Sequence, residues 1–371
     1  MRVAIFHDYL NQYGGAERTL EVILEIFPDA DIYTLLYDEE KTLSKFKNYN
    51  ITTSFLNNKF IKNNHRFFIP LMPLASGLMK VKTDYDLIFS SSAGYAKGFG
   101  YFNKKVTDIF HICYCHTPLR YAWEIDYLKD LSLAPWLLKR FFVYPIAKIL
   151  KRWDKKASKY VNVFITNSNF IKRKIRAYYN KDSEVIFPPV NQDIFYPELD
   201  KDLRDEGYYL MTGRLLYYKL FNLGVSAFNK LKKPLKIVGS GPEAKALKKL
   251  AKDNIEFLPY VTDEELRKLY SNAKAFIFPQ VEDFGLVAAE AQMCGTTVIA
   301  YRIGGSEDIV EENKTGLFFY NQKSKNLVQA VNKFESMKFN KDYIAKKADV
   351  FSQESFKKGI IKVVENSGFK I

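Results

Sequence analysis

Two glutamates, Glu282 and Glu290, stand eight residues apart around Asp283-Phe284-Gly285-Leu286-Val287-Ala288-Ala289. The apolar run Ala275-Phe276-Ile277-Phe278-Pro279 before them reads as a short buried strand closed by proline. The alanine-rich stretch from Leu286 to Met293 reads as a helix. Glu282 is thereby expected in a strand-to-helix loop, and Glu290 about two turns further on. Backbone N–H groups and a carboxylate at a helix N-terminus can hold a phosphorylated, hydroxyl-rich ligand. For Glu290 alone, a solvated helix carboxylate is the plain alternative.

Other polar motifs also follow apolar strands. Gly213-Arg214-Leu215-Leu216-Tyr217-Tyr218-Lys219 comes after the strand expected over Tyr208–Thr212. A guanidinium fork and an ammonium at this spacing can both reach a diphosphate; surface charge is the alternative. Gly239-Ser240-Gly241-Pro242-Glu243 follows Leu235–Val238. It allows a nucleotide close to the backbone, yet it lacks the third glycine of a dinucleotide fingerprint. Gly14 and Gly15 precede the helix expected over Glu17–Ile26, where backbone can meet a phosphate; a simple turn is the alternative. His116 ends the strand expected over Ile109–Tyr114, beside Pro118, and is the best placed histidine for an active-site role. His7 reads as a core or supporting residue, and His65 and His111 as structural.

The elements that must position these groups alternate. Strands are expected at Val3–His7, Ala30–Leu36, Leu87–Ser91, Ile109–Tyr114 and Val161–Thr166, then at Tyr208–Thr212, Leu235–Val238, Ile255–Phe257, Ala275–Phe278 and Thr297–Tyr301. Helices fill the gaps, for example Asn169–Tyr179, Gly241–Ala251, Asp263–Ser271 and, at the end, Ser352–Asn366. Such alternation argues for parallel, doubly wound sheets. The 371 residues suit two domains. We expect an N-terminal domain over 1–190, at whose end a strand near Val185-Ile186-Phe187 meets the stiffening Pro188-Pro189. A second covers 191–355, and a helix over 356–371 returns to the first. Two such domains facing each other across a cleft would bind a ligand at the carboxyl ends of both sheets.

Hydrophobic content of 47% with 16% aromatics allows a sizeable core. No apolar run is long enough to span a bilayer, and the start reads as a buried strand rather than a signal peptide. Cys113, Cys115 and Cys294 have no zinc-like spacing and fit a reducing cytoplasm. The triplets Asp29-Ala30-Asp31 and Asp84-Tyr85-Asp86 precede strands, the wrong sheet edge for a metal–diphosphate clamp.

The net charge of +14 is unevenly spread. Trp136 to Lys181 carries thirteen Lys/Arg against the single acid Asp154, interleaved with Phe141, Phe142, Tyr144, Ile146, Ile149, Leu150 and Trp153. Asn50 to Thr83 holds Lys59, Lys62, Arg66, Lys80 and Lys82 with no acid, accompanied by Phe55, Phe60, Phe67 and Phe68. Basic amphipathic segments favour an anionic membrane face; a solvated helix face is the alternative. Nucleic acid is set aside, since no recognition motif for it is present.

Together the motifs resemble the large retaining glycosyltransferase family 4, which has the GT-B fold. The resemblance covers nearly the whole chain. It rests on Gly14-Gly15-Ala16-Glu17, His116-Thr117-Pro118, Thr166-Asn167-Ser168, Pro188-Pro189-Val190, Gly213-Arg214-Leu215 with Lys219, Val238-Gly239-Ser240-Gly241-Pro242-Glu243, and the Glu282-to-Glu290 stretch. Cys115 to Trp123 is similar, more narrowly, to mannosyltransferases that build bacterial O-antigen and other lipid-linked oligosaccharides.

The resemblance implies a role for each residue. Gly15 would present its backbone to the donor phosphate. Arg214 and Lys219 would hold the diphosphate as it leaves. Glu282 would bind donor-sugar hydroxyls, helped by the N–H groups of Phe284, Gly285 and Leu286 beside Asp283. Glu290 would bind the ribose, and His116 would contact the sugar near the reacting carbon. Arg120, Tyr121 and Trp123, with Lys59, Lys62 and Arg66, would face the acceptor or membrane. Asn222 departs from the Asp often found three residues after the family's lysine. The expected function is metal-independent, retaining transfer of a hexose, with mannose from GDP-mannose favoured, to a lipid-linked saccharide. No cofactor beyond the nucleotide-sugar substrate is expected. The expected location is the inner face of the cell membrane. A nucleotide-sugar epimerase of the same fold, or a non-catalytic membrane-binding protein, are the competing readings.

Overall fold

The computed structural model describes residues 1–124, 136–198 and 207–371, with the side chains of 136–142 outside the description. These residues fall into two units, one of Met1–Phe187 with Lys357–Ile371, the other of Pro188–Phe356.

The first unit is built on seven strands among the described residues: β1 (Val3–Leu10), β2 (Asp31–Tyr37), β3 (Ile51–Thr53), β4 (Leu87–Ser92), β5 (Phe110–Cys115), β6 (Val163–Thr166) and β7 (Glu184–Val185). They form one parallel sheet in the order β3-β2-β1-β4-β5-β6-β7. β4 and β5 are buried along nearly their whole length, the pattern of parallel strands covered on both faces. The order grows outward in both directions from β1. Successive crossovers therefore diverge between β1 and β4, where ligand crevices open in such sheets.

The second unit repeats this plan with β8 (Tyr209–Thr212), β9 (Leu235–Val238), β10 (Ile255–Leu258), β11 (Ala275–Phe278), β12 (Val298–Tyr301) and β13 (Gly316–Phe319). Their order is β10-β9-β8-β11-β12-β13, so the divergence lies between β8 and β11. Both units are doubly wound, as the alternation of elements implies.

Local chemistry sets the helix ends. Ser168 Oγ accepts the Ile171 N–H at 3.1 Å to start Asn169–Tyr179, and Asn180 closes it at φ 53°. Thr262 and Glu265 form a reciprocal capping box at the start of Asp263–Asn272. The final helix spans Gln353–Asn366. From Lys357 onward it belongs to the first unit, where Gly359 lies against Ile186 and Lys357 pairs with Glu25.

The basic segment forms the helix Trp136–Ala157. Ala147, Leu150, Trp153 and Ala157 turn inward, while Lys148, Lys151, Arg152, Lys155, Lys156, Tyr144 and Ile149 are exposed. Phe141 and Phe142 lie outside the described side chains. Asp154 is fully buried and pairs with the equally buried Lys97 at 2.5 Å. Trp123 Nε1 and the Tyr179 hydroxyl donate to its other oxygen at 2.7 and 2.6 Å. Burial disfavours the Lys97 charge, yet Asp154, together with Cys115 and Cys113, holds the ammonium above its ordinary range.

Candidate active site

In the second unit, four motif loops leave the carboxyl edge of one sheet. The loop after β8 runs beside the loop after β9. Gly213 N donates to Val238 O at 3.0 Å, and Leu215 N to Ser240 O at 2.8 Å. Gly239 has φ +137°, and a Cβ there would lie 2.0 Å from Gly213 O. Gly241 meets Leu215 O in the same way. These glycines thus serve first to let two loops touch, a use the sequence does not distinguish from close approach of a nucleotide. Arg214 is exposed on the outer turn of this pair.

The loop after β11 carries Glu282. Lys219 forms an ion pair with Glu282 across the divergence between β8 and β11, and each side chain is 20% exposed. Gln280 Nε2 also donates to Glu282, at 3.1 Å. The structure therefore joins two residues that the resemblance assigns separately, one to diphosphate and one to sugar. Phe284 is buried, its ring 5.5 Å from Phe351. Asp283 is half-buried, Gly285 caps the helix at φ +107°, and Leu286 begins Leu286–Met293. Glu290, in that helix, is 6% exposed and accepts from the Tyr270 hydroxyl at 3.3 Å. The solvated-carboxylate alternative for Glu290 therefore does not hold.

The Gly304-Gly305 turn after β12 supports the Glu282 loop, and the sequence reading missed it. Gly305 N donates to Glu282 O at 2.9 Å, and a Cβ on Gly305 would sit 2.1 Å from Phe284 O. The turn's signal in the sequence is a glycine pair just past a strand, as at Gly14 and Gly15.

In the first unit, His116 follows β5 and is half-buried. Its N–H donates to Ser92 O at 2.8 Å, and its carbonyl accepts from Asn167 Nδ2 at 3.0 Å. Its ring stands edge-on to Tyr114, with centroids 5.0 Å apart, and its Nε2 lies 2.9 Å from Ser91 Oγ. Gly14 caps the helix Gly15–Ile26, and its N–H donates to Glu17 Oε2 at 2.8 Å. That amide is therefore held by the protein's own capping box rather than offered to a phosphate. Asp8, near the end of β1, accepts from the N–H groups of Ala93, Tyr95 and Ala96. Burial raises its carboxyl above the ordinary range, against the opposing pull of Lys97 and of the Ala96 and Ala93 N–H groups.

The remaining candidates have other settings. Trp123 stacks on Tyr178 at 4.1 Å, with Lys151 over its face at 4.2 Å, so much of it is committed to packing. Arg120 and Tyr121 are half-buried beside it. Lys59 and Arg66 are exposed, whereas Lys62 lies 3.8 Å from Asp38. His111 is buried against Ser90 at 2.7 Å, and burial pushes its pKa down to about 3. Cys113, Cys115 and Cys294 are buried. Asp31 is engaged by Asn50, Lys82 and Tyr85, and Asp84 by Arg2, at the strand-start edge of the sheet.

Comparison with known proteins adds family and fold. Residues 13–194 match the model described as Glycosyltransferase Family 4, and residues 198–358 the model described as Glycosyl transferases group 1. An uncharacterized glycosyltransferase of Methanocaldococcus jannaschii is 30% identical over 164 residues, 41% of this chain and 42% of that protein. D-inositol 3-phosphate glycosyltransferase of Mycobacteroides abscessus is 32% identical over 167 residues, 40% of this chain and 38% of that protein. The match thus spans about two fifths of the length of these curated relatives. HepE of Anabaena, solved with UDP, superposes with a TM-score of 0.74 at 16% identity, covering 99% of this chain and all of that one. Sucrose-phosphate synthase of Thermosynechococcus elongatus gives 0.70 at 17%, covering 99% of both chains. The chain thus has the GT-B fold of two parallel-sheet α/β units, and it is similar over 13–194 to Glycosyltransferase Family 4 and over 198–358 to the Glycosyl transferases group 1.

Proposed function

We propose that this protein is a retaining, metal-independent hexosyltransferase. It moves a hexose, mannose from GDP-mannose favoured, from a nucleotide sugar to a lipid-linked saccharide acceptor in surface polysaccharide assembly. The observation that carries this reading is the Lys219–Glu282 ion pair at the divergence of the second unit's sheet, with Lys219 on the loop that also carries Arg214. Negative charge grows on the departing diphosphate, and fixed cations aimed at it are the main help a protein can give. Arg214 and Lys219 take that task, Glu282 binds sugar hydroxyls, Glu290 binds the ribose, and His116 keeps the role the resemblance implies. Solved relatives of the same fold that hold UDP support a nucleotide-sugar donor. In the reaction, the bond from the anomeric carbon to the phosphate oxygen breaks and a bond to the acceptor oxygen forms on the same face. The leaving phosphate takes the acceptor's proton. Nothing else is consumed, and no cofactor is required.

The test is transfer of radiolabelled sugar from a panel of nucleotide sugars to membrane lipid. GDP-mannose should label the lipid fraction and raise the melting temperature, because a ligand bound only by the native state stabilises it. No transfer from any donor, with no thermal shift, would reject the reading. Turnover of donor to an epimer without acceptor would favour an epimerase.

We also propose that the first unit binds the inner face of the membrane. Phe67, Leu71, Leu74 and Leu78 are all exposed and recur at helical spacing along the helical turns His65–Leu71 and Met72–Gly77. Their other side buries Ile69, Met72, Ala75 and Met79. Exposed Phe60, Lys59, Arg66 and Lys80 flank the stripe. An apolar stripe rimmed by cations suits an anionic bilayer surface. Sedimentation with anionic vesicles should exceed that with neutral ones and weaken at high salt. The double variant Phe67→Ser, Leu74→Ser should lower binding by roughly tenfold or more, given about 1.5–3 kcal/mol per buried side chain of this size. Equal sedimentation of variant and wild type would remove this surface from the proposal.

A further inference from the structure

Four buried or half-buried groups of the first unit form a line that the sequence reading did not connect. Glu17 Oε2 accepts the Gly14 N–H, while Oε1 faces His7 Nε2 at 3.7 Å. His7 Nδ1 lies 3.1 Å from Ser91 Oγ, and Ser91 Oγ lies 2.9 Å from His116 Nε2. His7 is 2% exposed, Glu17 3% and Ser91 0%. The line joins the helix Gly15–Ile26, β1, β4 and the loop after β5.

We propose that Glu17, His7 and Ser91 act as positioning residues that fix the tautomer of His116. The argument is a count of protons. The Glu17 carboxylate accepts from an amide and has no proton to give. At 3.7 Å this contact is electrostatic rather than a hydrogen bond, and the carboxylate charge favours the tautomer whose hydrogen sits on the facing nitrogen, Nε2. With the ring neutral, His7 Nδ1 is an acceptor, and Ser91 must donate to it. A serine hydroxyl has one proton. Having given it to His7, Ser91 Oγ can only accept from His116. His116 Nε2 therefore carries hydrogen, and Nδ1 is the acceptor nitrogen of the neutral ring. Because Glu17 also holds Gly14, the glycine turn and the histidine are set by the same carboxylate. The value of this order for catalysis rests on the transferase reading above; the order itself does not.

The test is a long-range proton–nitrogen correlation spectrum of the full chain with ¹⁵N-labelled histidine. His116 signals are assigned by their loss in His116→Gln. The wild type should show His116 as the Nε2–H tautomer, and Ser91→Ala should shift it toward a mixture. The Nδ1–H tautomer in the wild type would overturn the proposal, as would an unchanged tautomer in Ser91→Ala. The wild-type measurement stands even where a variant fails to fold. In the transfer assay, Ser91→Ala should lower kcat by roughly 10- to 100-fold with little change in donor KM, by analogy with the loss when the orienting partner of a metal-bound histidine is removed. A wild type without transferase activity, but with the tautomer and its response to Ser91→Ala intact, would reject the transferase reading and support the positioning. A wild type with activity whose tautomer ignores Ser91→Ala would reject the positioning alone.

Discussion

Replacing Lys219 with alanine is expected to lower glycosyl transfer by roughly 10²- to 10³-fold, the usual loss when one preorganised group facing a developing anion is removed. Stability should hardly move. Lys219 and Glu282 are each partly open to water, and ion pairs of that exposure contribute about 0–1 kcal/mol. The contrast is the diagnostic. A melting temperature near that of the wild type together with collapsed turnover marks a chemical role. Without substrate the ammonium rests on Glu282. We expect a bound diphosphate to draw it away, leaving Glu282 to accept from sugar hydroxyls. Lys219→Ala should therefore raise the KM for donor as well as lower kcat, and Glu282→Ala should act more on the sugar than on binding of nucleotide diphosphate alone. Steady-state kinetics with donor, and titration with the diphosphate, separate the two. Full activity of Lys219→Ala would end the assignment.

The second large effect concerns stability. Asp154→Ala is expected to destabilise the first unit by about 3–5 kcal/mol, the cost of leaving a buried charge unpaired. For a unit of this size that is roughly 6–20 °C in melting temperature. The Lys97 ammonium is fully buried and loses its counterion, and Trp123 and Tyr179 lose the acceptor they share. The double variant Lys97→Met, Asp154→Leu should recover much of the loss, because an apolar pair removes the charge together with its partner. Thermal unfolding of the three proteins provides the check. A double variant as unstable as Asp154→Ala would mean that the polar network, rather than the lone charge, sets the cost. The pair also explains why a helix as basic as Trp136–Ala157 keeps one acid. Asp154 faces inward, beside Trp153 and Ala157, while the lysines around it face outward.

Much of the fold could be read from local pattern. Strands such as Leu235–Val238 and Ala275–Phe278 are short apolar runs closed by glycine or proline, and they sit where that pattern puts them. Two strands escaped. β3, Ile51–Thr53, has three half-buried residues at a sheet edge, too few for a period to register. β13 begins at Gly316, which weakens any strand reading. Its reason is tertiary: a Cβ there would lie 2.1 Å from Val298 O on the neighbouring strand. The helix expected from Gly241 starts instead at Ala244, because Glu243 N donates to Leu215 O in the loop after β8 and Gly241 packs close against that carbonyl.

The candidate site divides in the same way. By itself the sequence determined that each polar motif follows a strand, because turn residues and apolar runs are local signals. Glu282, Lys219, Arg214 and His116 were all visible on that basis. Only the tertiary structure decided their partners. Lys219 and Glu282 are 63 residues apart and meet because β8 and β11 are neighbours in the sheet. His7, Ser91 and His116 meet because β1, β4 and β5 lie side by side. The burial of Glu290 against Tyr270, and of Asp154 against Lys97, likewise follows from packing. Strand order and side-chain burial are set by the summed packing of the whole unit. No local spacing carries them, and for that reason the residue types could be read in advance while their pairings could not.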